Sequence, residues 1–205
     1  LCETGLKRQA SGQLESEQAD KKAVPTDPEG RRFNLNTVIV NFANVGATYG
    51  VRVLGRQRER GDKLFDWDGI RKCVHHLKLE LNLEVIGVIH ENFGAFDNGK
   101  DYKIGIPEDI RVLCDSIEET PKLQGRNHKS ADDEMTIKCA YRRNCRFLDN
   151  DNYRDWKREM RNESIRKWLS SCAEILHMKY FFDAQEGTFD TLDGNIPESL
   201  LQQSR

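Results

Sequence analysis

Short apolar runs alternate with amphipathic stretches along most of this chain, from about residue 34 to residue 190. The run over 37–40 (TVIV) is continuous and β-branched, and the run over 84–89 (EVIGVI) is similar, as expected of strands buried on both faces. Between them, apolar residues recur at three- and four-residue spacing over 64–81, which predicts a helix with one apolar stripe. The pattern therefore begins as strand, helix, strand.

The rest of the chain continues this alternation. Pro107 occupies a favoured first-turn position of a helix, and Ser130 with Asp133 three residues later is a variant of the capping box. Alternating strands and helices predict an α/β fold, with a central parallel sheet flanked by helices. Further helices are predicted over 107–115, 130–142 and 162–171, and further strands over 118–121, 145–148 and 175–182.

Length and composition set the domain limits. The 205 residues suffice for one domain with a sizeable core. We assign 34–190 to that domain, 1–33 to a polar tail or linker interrupted by Pro25 and Pro28, and 191–205 to a carboxyl-terminal tail. No apolar run approaches the ~20 residues needed to span a bilayer, and the first residues do not resemble a signal peptide.

Charge and cysteine content narrow the function classes only a little. Charged residues make up 32% of the chain with a net charge of -2, which does not by itself indicate nucleic-acid binding. The six cysteines form no CxxC or other close pair, so we expect no zinc site. Most lie in apolar segments, where a reduced cysteine acts as a small hydrophobe. This favours an intracellular, reducing location, most simply the cytoplasm.

Acids and amides follow the first and fourth predicted strands and open the helix that leads into the fourth. Ligands of such sheets lie beyond the carboxyl ends of the strands, so these side chains should meet at one edge. Crowded oxygen donors are what Mg²⁺ requires. Taken separately, each group has a simpler explanation, as first-turn acids or as a turn. The residues are Asn41, Asn44, Asp132, Asp133, Asp149, Asn150, Asp151 and Asp155.

The segment 132–155, DDEMTIKCAYRRNCRFLDNDNYRD, resembles the Regnase/MCPIP group of NYN ribonucleases. That group has an Asp-Asp pair, a helix ending in Lys-x-Ala-Tyr, a strand, and then Asn-Asp-x-Tyr-Arg-Asp. Upstream, VIVNFANVG is similar to the family's first strand and the Asp-Gly-x-Asn-Val that follows it. The resemblance covers about 36–190 and implies a PIN-like (Rossmannoid) fold. It also implies a Mg²⁺-dependent endoribonuclease acting on single-stranded RNA, with Mn²⁺ as an alternative ion.

By position, the resemblance implies a set of catalytic and metal-binding residues. The catalytic set is Asn41, Asn44, Asp132, Asp133, Asp151 and Asp155, and the metal ligands among them are Asn41, Asp132, Asp133 and Asp151. Asn41 is the main departure, because the family has its first catalytic aspartate there. Phe42, in place of the family's glycine, is a lesser one. The CCCH zinc finger that accompanies this domain in many members is absent from these residues.

Asparagine at position 41 can lend a carbonyl oxygen but supplies no negative charge, so metal affinity and activity should fall. One explanation is an engineered replacement of a catalytic aspartate. The other is a natural pseudonuclease that binds RNA or a partner. We favour replacement, because Asp132, Asp133, Asp151 and Asp155 are all present. A lineage without the chemistry need not keep the mutual repulsion of four acids.

Several residues are candidates for RNA contact. A basic loop before the acidic helix could grip phosphates, although a solvated loop is an equal alternative. Tyr49 could stack on a base or pack in the core. Arg154, inside the family motif, could position Asp151 or a phosphate. The loop residues are Lys122, Arg126, His128 and Lys129.

The resemblance also bears on partners. The family is often dimeric, and it includes nematode RNA-interference nucleases that cut messages targeted by small RNAs. The linker GKDYKIGIPEDIR and the missing finger favour that branch, in which silencing-complex proteins would deliver the mRNA. Two rival functions remain open: a catalytically dead RNA-binding or scaffold module, and a PIN-type nuclease acting on DNA.

Overall fold

The core of the fold is a parallel sheet with the first strand at its centre, seen in a computed structural model that describes residues 26–61, 63–90, 105–121 and 131–192. The five strands lie in the order β3-β2-β1-β4-β5 and all pair in parallel. They are β1 (Asn34–Asn41), β2 (Glu84–His90), β3 (Ser116–Thr120), β4 (Cys145–Leu148) and β5 (His177–Met178). The predicted central parallel sheet is thus present.

The helices cover both faces of this sheet. Side-chain caps begin three of them: Asn41 for α1, Asp66 for α2 and Asn162 for α6, each accepting a hydrogen bond from a first-turn N–H. The helix α2 continues as one π-helical stretch, His76–Glu80. The helices are α1 (Phe42–Arg52), α2 (Trp67–His75), α3 (Glu108–Leu113), α4 (Ala131–Arg143), α5 (Arg154–Glu159) and α6 (Glu163–Leu176), with a short 3-10 turn at Arg58–Arg60.

Alternate residues of β1 serve two hydrophobic cores. Val38 and Val40 point into a core formed with α1, α2 and α3. Ile39 points to the opposite core, which α4 and α6 complete. All three side chains are fully buried, because a strand covered on both faces sends successive side chains to opposite layers. The cores hold β1 rigidly between its neighbours β2 and β4.

Several elements differ from the sequence expectation, and α5 and β7 (Phe189–Thr191) are among those that it does not contain. The helix α1 is not predicted by the sequence pattern, and it starts immediately after β1. The helix α6 runs on to Leu176, so the strand expected over 175–182 is reduced to β5 and a separate strand β6 (Tyr180–Phe182). The strand β6 pairs in antiparallel fashion with β7 as a hairpin outside the main sheet. The buried aromatic residues of this hairpin pack into the core formed with α1, α2 and α3.

Residues 26–33, part of the segment predicted to be a tail, pack on the domain. Asp27 is buried and pairs with Arg31 at 2.7 Å. Arg31 in turn donates to the carbonyl of Tyr141 and lies 4.5 Å from the centre of its ring. The side chain of Asn144 donates to the carbonyls of Arg31 and Arg32. This segment is therefore anchored to the end of α4 and the start of β4.

Cysteines in the described part of the chain behave as apolar residues. Each of the five is buried and is a free thiol. Burial raises the pKa of Cys145 and of Cys172 to about 12. Within the same residues, every helix is too short or too polar to cross a membrane.

Candidate active site

The end of β1, the first turn of α4 and the loop after β4 meet at the carboxyl edge of the sheet, as the order of elements predicts. Asn41, the last residue of β1, donates from Nδ2 to Oδ1 of Asp133 in α4 at 2.8 Å. Asn44, in α1, accepts at Oδ1 from the backbone N–H of Asn150 at 3.0 Å. These bonds tie all three segments together.

Asn41 uses both ends of its side-chain amide. Its Oδ1 caps α1 by accepting from the N–H of Asn44 at 3.1 Å, while its Nδ2 serves Asp133. The residue is only 1% exposed. An ionised carboxylate at this position could accept the capping bond but could not donate to Asp133. Two carboxylates would then face each other across a hydrogen-bond distance.

Asp133 lies where negative charge is in excess. Burial raises its pKa most, and the nearby carboxylates of Asp151 and Asp149 raise it further. The hydrogen bond from Asn41 lowers it, and the resulting pKa is about 7. A carboxyl whose ionised form is disfavoured by burial and by other acids is one that a cation would stabilise.

Asp151 is held through its backbone as well as its side chain. Its N–H donates to Oδ1 of Asp149 at 3.0 Å, and its carbonyl accepts from the ammonium of Lys179. Its own Oδ1 accepts from the N–H of Asn152 at 2.6 Å. Burial lowers the pKa of Lys179, while Asp149 and Asp151 act in the opposite direction. The loop after β4 thus places one carboxylate at a fixed point beside Asp133.

Asp149 is an important site residue that the sequence analysis included in the polar cluster after the fourth strand but gave no catalytic or metal-binding role. Its side chain is fully buried and accepts from the hydroxyl of Tyr153 and from Nε2 of His177, the latter at 2.9 Å. His177 belongs to β5 and lies on a different element from the acidic motif. The one available signal was an aspartate directly after a buried strand.

Asn44 stabilises the loop after β4. Its Oδ1 accepts two hydrogen bonds, from the N–H of Asn150 and from the hydroxyl of Tyr180 at 2.8 Å. Asn150 in turn exchanges hydrogen bonds with the backbone of Tyr180. The described contacts of the Asn44 oxygen are therefore with the protein, and they link α1, the loop and β6.

Asp132 points to a different group of residues from its neighbour. Its Oδ1 accepts from the hydroxyl of Thr120 at 3.1 Å and lies 3.4 Å from Nδ1 of His90. Burial raises the pKa of Asp132, and His90 and Thr120 partly offset this. Successive helical residues point about 100° apart, so Asp132 turns toward β2 and β3 while Asp133 turns toward Asn41.

The remaining predicted residues have other surroundings or lie outside the described residues. Asp155 is largely exposed on α5 and pairs with Arg158 at 2.5 Å, and Arg154 is exposed beside it. Tyr49 is buried and packs edge-on against Phe182, so of its two interpretations the structure supports packing and leaves no ring face for a base. The basic loop Lys122, Arg126, His128 and Lys129 lies outside the described residues, as does Ser130.

The donor set fits a hard divalent cation. Within the described ranges, no three His, Cys, Asp or Glu side chains form a ready-made metal cluster. The site does offer the carboxylates of Asp133 and Asp151, and Mg²⁺ is usually held by one or two carboxylates, several waters and substrate phosphate. Burial and the nearby carboxylate of Asp151 raise the pKa of Asp133, and a bound cation would offset both effects.

Comparison with known proteins bears on the family and the fold of the chain. A family model described as "Zc3h12a-like Ribonuclease NYN domain" matches residues 34–186. Two structures of the nuclear protein-only RNase P 2 (PRORP2) of Arabidopsis thaliana are similar, with TM-scores of 0.52 and 0.50 at 19% and 18% identity. Both cover 78% of this chain, which spans only 30% and 31% of theirs. No curated protein matches the chain. At these identities the likeness shows the fold alone, and the predicted PIN-like α/β fold is confirmed.

Proposed function

The chain belongs to the Zc3h12a-like ribonuclease NYN domains, and we propose from this premise that it is built to cut single-stranded RNA with a divalent cation. Asn41 stands, in this proposal, at the position of a metal-binding aspartate. The observation that carries the proposal is the meeting of Asn41, Asp133 and Asp151 at the carboxyl edge of the sheet. The raised pKa of Asp133 marks it as a site with uncompensated negative charge.

Asp133 and Asp151 would hold the cation, with Mg²⁺ the first candidate and Mn²⁺ the second. Such an ion would polarise a phosphoryl oxygen and lower the pKa of a bound water, so that hydroxide would be available to attack phosphorus. The protein's own contribution is position. Asp149 and Lys179 fix the backbone of Asp151, and Asn41 holds the carboxyl of Asp133 at the end of a rigid strand. Asp132→Asn and Asp155→Asn test the catalytic roles predicted for these two residues.

The RNA must approach an acidic edge, so cationic groups are needed beside it. Lys179, between β5 and β6, supplies one where its ammonium donates to the carbonyl of Asp151 in the loop after β4. We expect Lys122, Arg126, His128 and Lys129, with Arg154, to supply the others, since each phosphate neutralised by a lysine or arginine adds to affinity. A cytoplasmic location, dimerisation, and delivery of mRNA by silencing-complex proteins belong to the same proposal.

One observation favours a second function, that of a pseudonuclease. The amide of Asn41 satisfies both the α1 cap and Asp133 without any cation. A site whose hydrogen bonds are satisfied within the protein in this way can bind RNA or a partner without cutting RNA. The two functions differ in what a carboxylate at position 41 would do.

The decisive experiment is Asn41→Asp. The change places two carboxylates against each other, so the site should bind Mn²⁺ or Mg²⁺ more tightly and cleave labelled single-stranded RNA at least about 100-fold faster, as is ordinary for positioned catalytic charge. Single-turnover rates measured with Mg²⁺, with Mn²⁺ and with chelator give this comparison. Single-stranded DNA in parallel reactions tests the DNA-nuclease alternative.

Asn36→Asp is the matched control, because Asn36 lies on the same strand but is exposed. It adds the same charge away from the site and should leave cleavage unchanged. An Asn41→Asp protein that binds RNA yet cuts with neither ion would make the pseudonuclease the better assignment. Equal cleavage by the original chain and the Asn41→Asp protein would show that position 41 has no metal role.

A further inference from the structure

The loop that carries Asp151 is built around a buried carboxylate with three donors. Asp149 is fully buried, and its Oδ1 accepts both the N–H of Asp151 at 3.0 Å and Nε2 of His177 at 2.9 Å. Its Oδ2 accepts the hydroxyl of Tyr153. Asp149 thus connects the neighbouring strand β5 to the backbone of a candidate metal ligand.

His177 is oriented in two independent ways. Its ring stacks on Phe147 of the adjacent strand, with centroids 4.5 Å apart and planes 16° apart. Its Nε2 lies 3.1 Å from the backbone carbonyl of Asp149 as well as near the carboxylate. A carbonyl oxygen can only accept, so Nε2 carries the proton and donates to Asp149. The ring is therefore a fixed donor aimed at the loop.

The backbone of the loop shows why such an anchor is required. Tyr153 has φ 52° and ψ 24°, in the left-handed region that bulky side chains disfavour. Its side chain is buried, makes an edge contact with Phe147 and a tilted ring contact with His177, and donates its hydroxyl to Asp149. A conformation of this kind persists only when its surroundings enforce it. The buried contacts of Tyr153 with Asp149 and His177 do so here.

We propose that Asp149, oriented by His177 and Tyr153, is a positioning residue that sets the carboxylate of Asp151 for binding a divalent cation. The inference rests on the proposed function, because it assumes that Asp151 is a ligand. Asp149 acts through the N–H of Asp151, and His177 acts through Asp149. Groups behind a ligand commonly tune metal affinity by about 10- to 100-fold.

Two substitutions of His177 separate hydrogen bonding from packing. His177→Gln keeps an N–H donor near the Nε2 position and loses the ring. His177→Phe keeps a ring to stack on Phe147 and loses the donor. Both are made in the Asn41→Asp protein, and Mn²⁺ affinity is measured without RNA by electron paramagnetic resonance, well below the melting temperature. We expect the Phe variant to bind Mn²⁺ about 10- to 100-fold more weakly and the Gln variant to retain most of the affinity.

A second readout requires no metal. Amide hydrogen exchange at Asp151 should be faster in His177→Phe than in His177→Gln. Without a donor from residue 177, the carboxylate of Asp149 that accepts from this N–H is less firmly oriented. If the Phe variant does not fold, Tyr153→Phe removes one hydroxyl from the same carboxylate and should weaken Mn²⁺ binding in the same direction. Equal Mn²⁺ affinity in the Phe variant and its parent, or an equal loss in the Phe and Gln variants, overturns the positioning role.

Asp151→Asn in the same background distinguishes this failure from failure of the proposed function. If Asp151→Asn leaves Mn²⁺ binding unchanged, Asp151 is not a ligand, and the proposed site is wrong together with the inference. If Asp151→Asn abolishes binding while His177→Phe has no effect, the site stands and only the positioning role of Asp149 is wrong.

Discussion

The strand β4 has a buried polar residue at each end, and the two ends have different electrostatic surroundings. Before it, Asn144 accepts from the indole N–H of Trp168 at 2.7 Å and donates to the carbonyls of Arg31 and Arg32. After it, Asp149 accepts from Asp151, Tyr153 and His177. Both side chains have several hydrogen-bond partners. The partners of Asn144 are neutral groups, whereas Asp149 adds its charge to that of Asp133 and Asp151.

This difference separates stability from function. A neutral side chain with matched donors and acceptors needs nothing further, so Asn144 joins residues 26–33 to the fold and completes the packing of Trp168. An acidic group whose hydrogen bonds are satisfied, but whose charge is not, is one that a cation would stabilise. The site therefore lies at the end of β4 where the side chains are hydrogen-bonded but their negative charge is not balanced.

The largest effect is expected for Asp133→Asn in the Asn41→Asp protein. The change removes a candidate ligand while keeping the shape of the side chain, so single-turnover RNA cleavage should fall by about 100-fold or more. Glu163→Gln, at an exposed acid on α6, is the control and should not change the rate. Unchanged cleavage by the Asp133→Asn protein would contradict the contrast between the two ends of β4, because the negative charge near Asp149 would then have no catalytic use.

Asn144→Ala should mainly affect stability. It leaves the buried indole N–H of Trp168 without its acceptor and places alanine at φ 47°. The free energy of unfolding should fall by about 2–3 kcal/mol, measured by urea denaturation. Asn36→Ala, at an exposed position, should change it little. The same Asn144→Ala change in the Asn41→Asp protein should leave Mn²⁺ affinity unaltered, and a large loss of affinity would show that the two ends are coupled.

The pH dependence of stability should reveal the charge at Asp133. Its pKa is about 7 in the folded protein, above the value of about 4 for an unfolded aspartate. The folded state then binds the proton more tightly between these values. The contribution of Asp133 to stability is therefore fully present below pH ~4 and is lost as pH rises toward ~7. Unfolding curves in chelator, compared between this chain and Asp133→Asn, should diverge over that range, and parallel curves would contradict the shift.

The smallest effect is expected for Glu29→Gln. Glu29 accepts from the hydroxyl of Tyr141 at 2.5 Å and lies 3.3 Å from Arg31, but its side chain is 41% exposed. Exposed pairs contribute little, so unfolding should change by less than about 1 kcal/mol. A loss as large as that of Asn144→Ala would mean that residues 26–33 are held by surface charge, not by the buried amide.

Much of the sheet and of its polar edge is predictable from local pattern. The buried β-branched runs identify β1 and β2, and the rule that ligands lie at carboxyl edges correctly predicts that Asn41, Asp133 and Asp151 meet. These inferences succeed because each depends on residues close in sequence, or on the order of elements.

The features that sequence reasoning misses depend on contacts between distant residues. The helix α1 contains Gly46 and Gly50, which weaken a local helix signal. In the fold, a Cβ on Gly50 would lie 1.6 Å from the carbonyl oxygen of Leu64, so glycine is needed for that close approach. The role of Asp149 depends on His177, which pairing of β4 with β5 brings near. No local pattern in the sequence reports either contact.

The central position of β1 has a consequence for synthesis of the protein. The strand is made before both of its neighbours, and its partner β4 follows α4 much later in the chain. Until β4 emerges from the ribosome, one edge of this central strand lacks its hydrogen-bonding partner, a state that favours aggregation. Variants that delay docking of β4 should therefore reduce the soluble yield in cells more than their equilibrium stability would indicate.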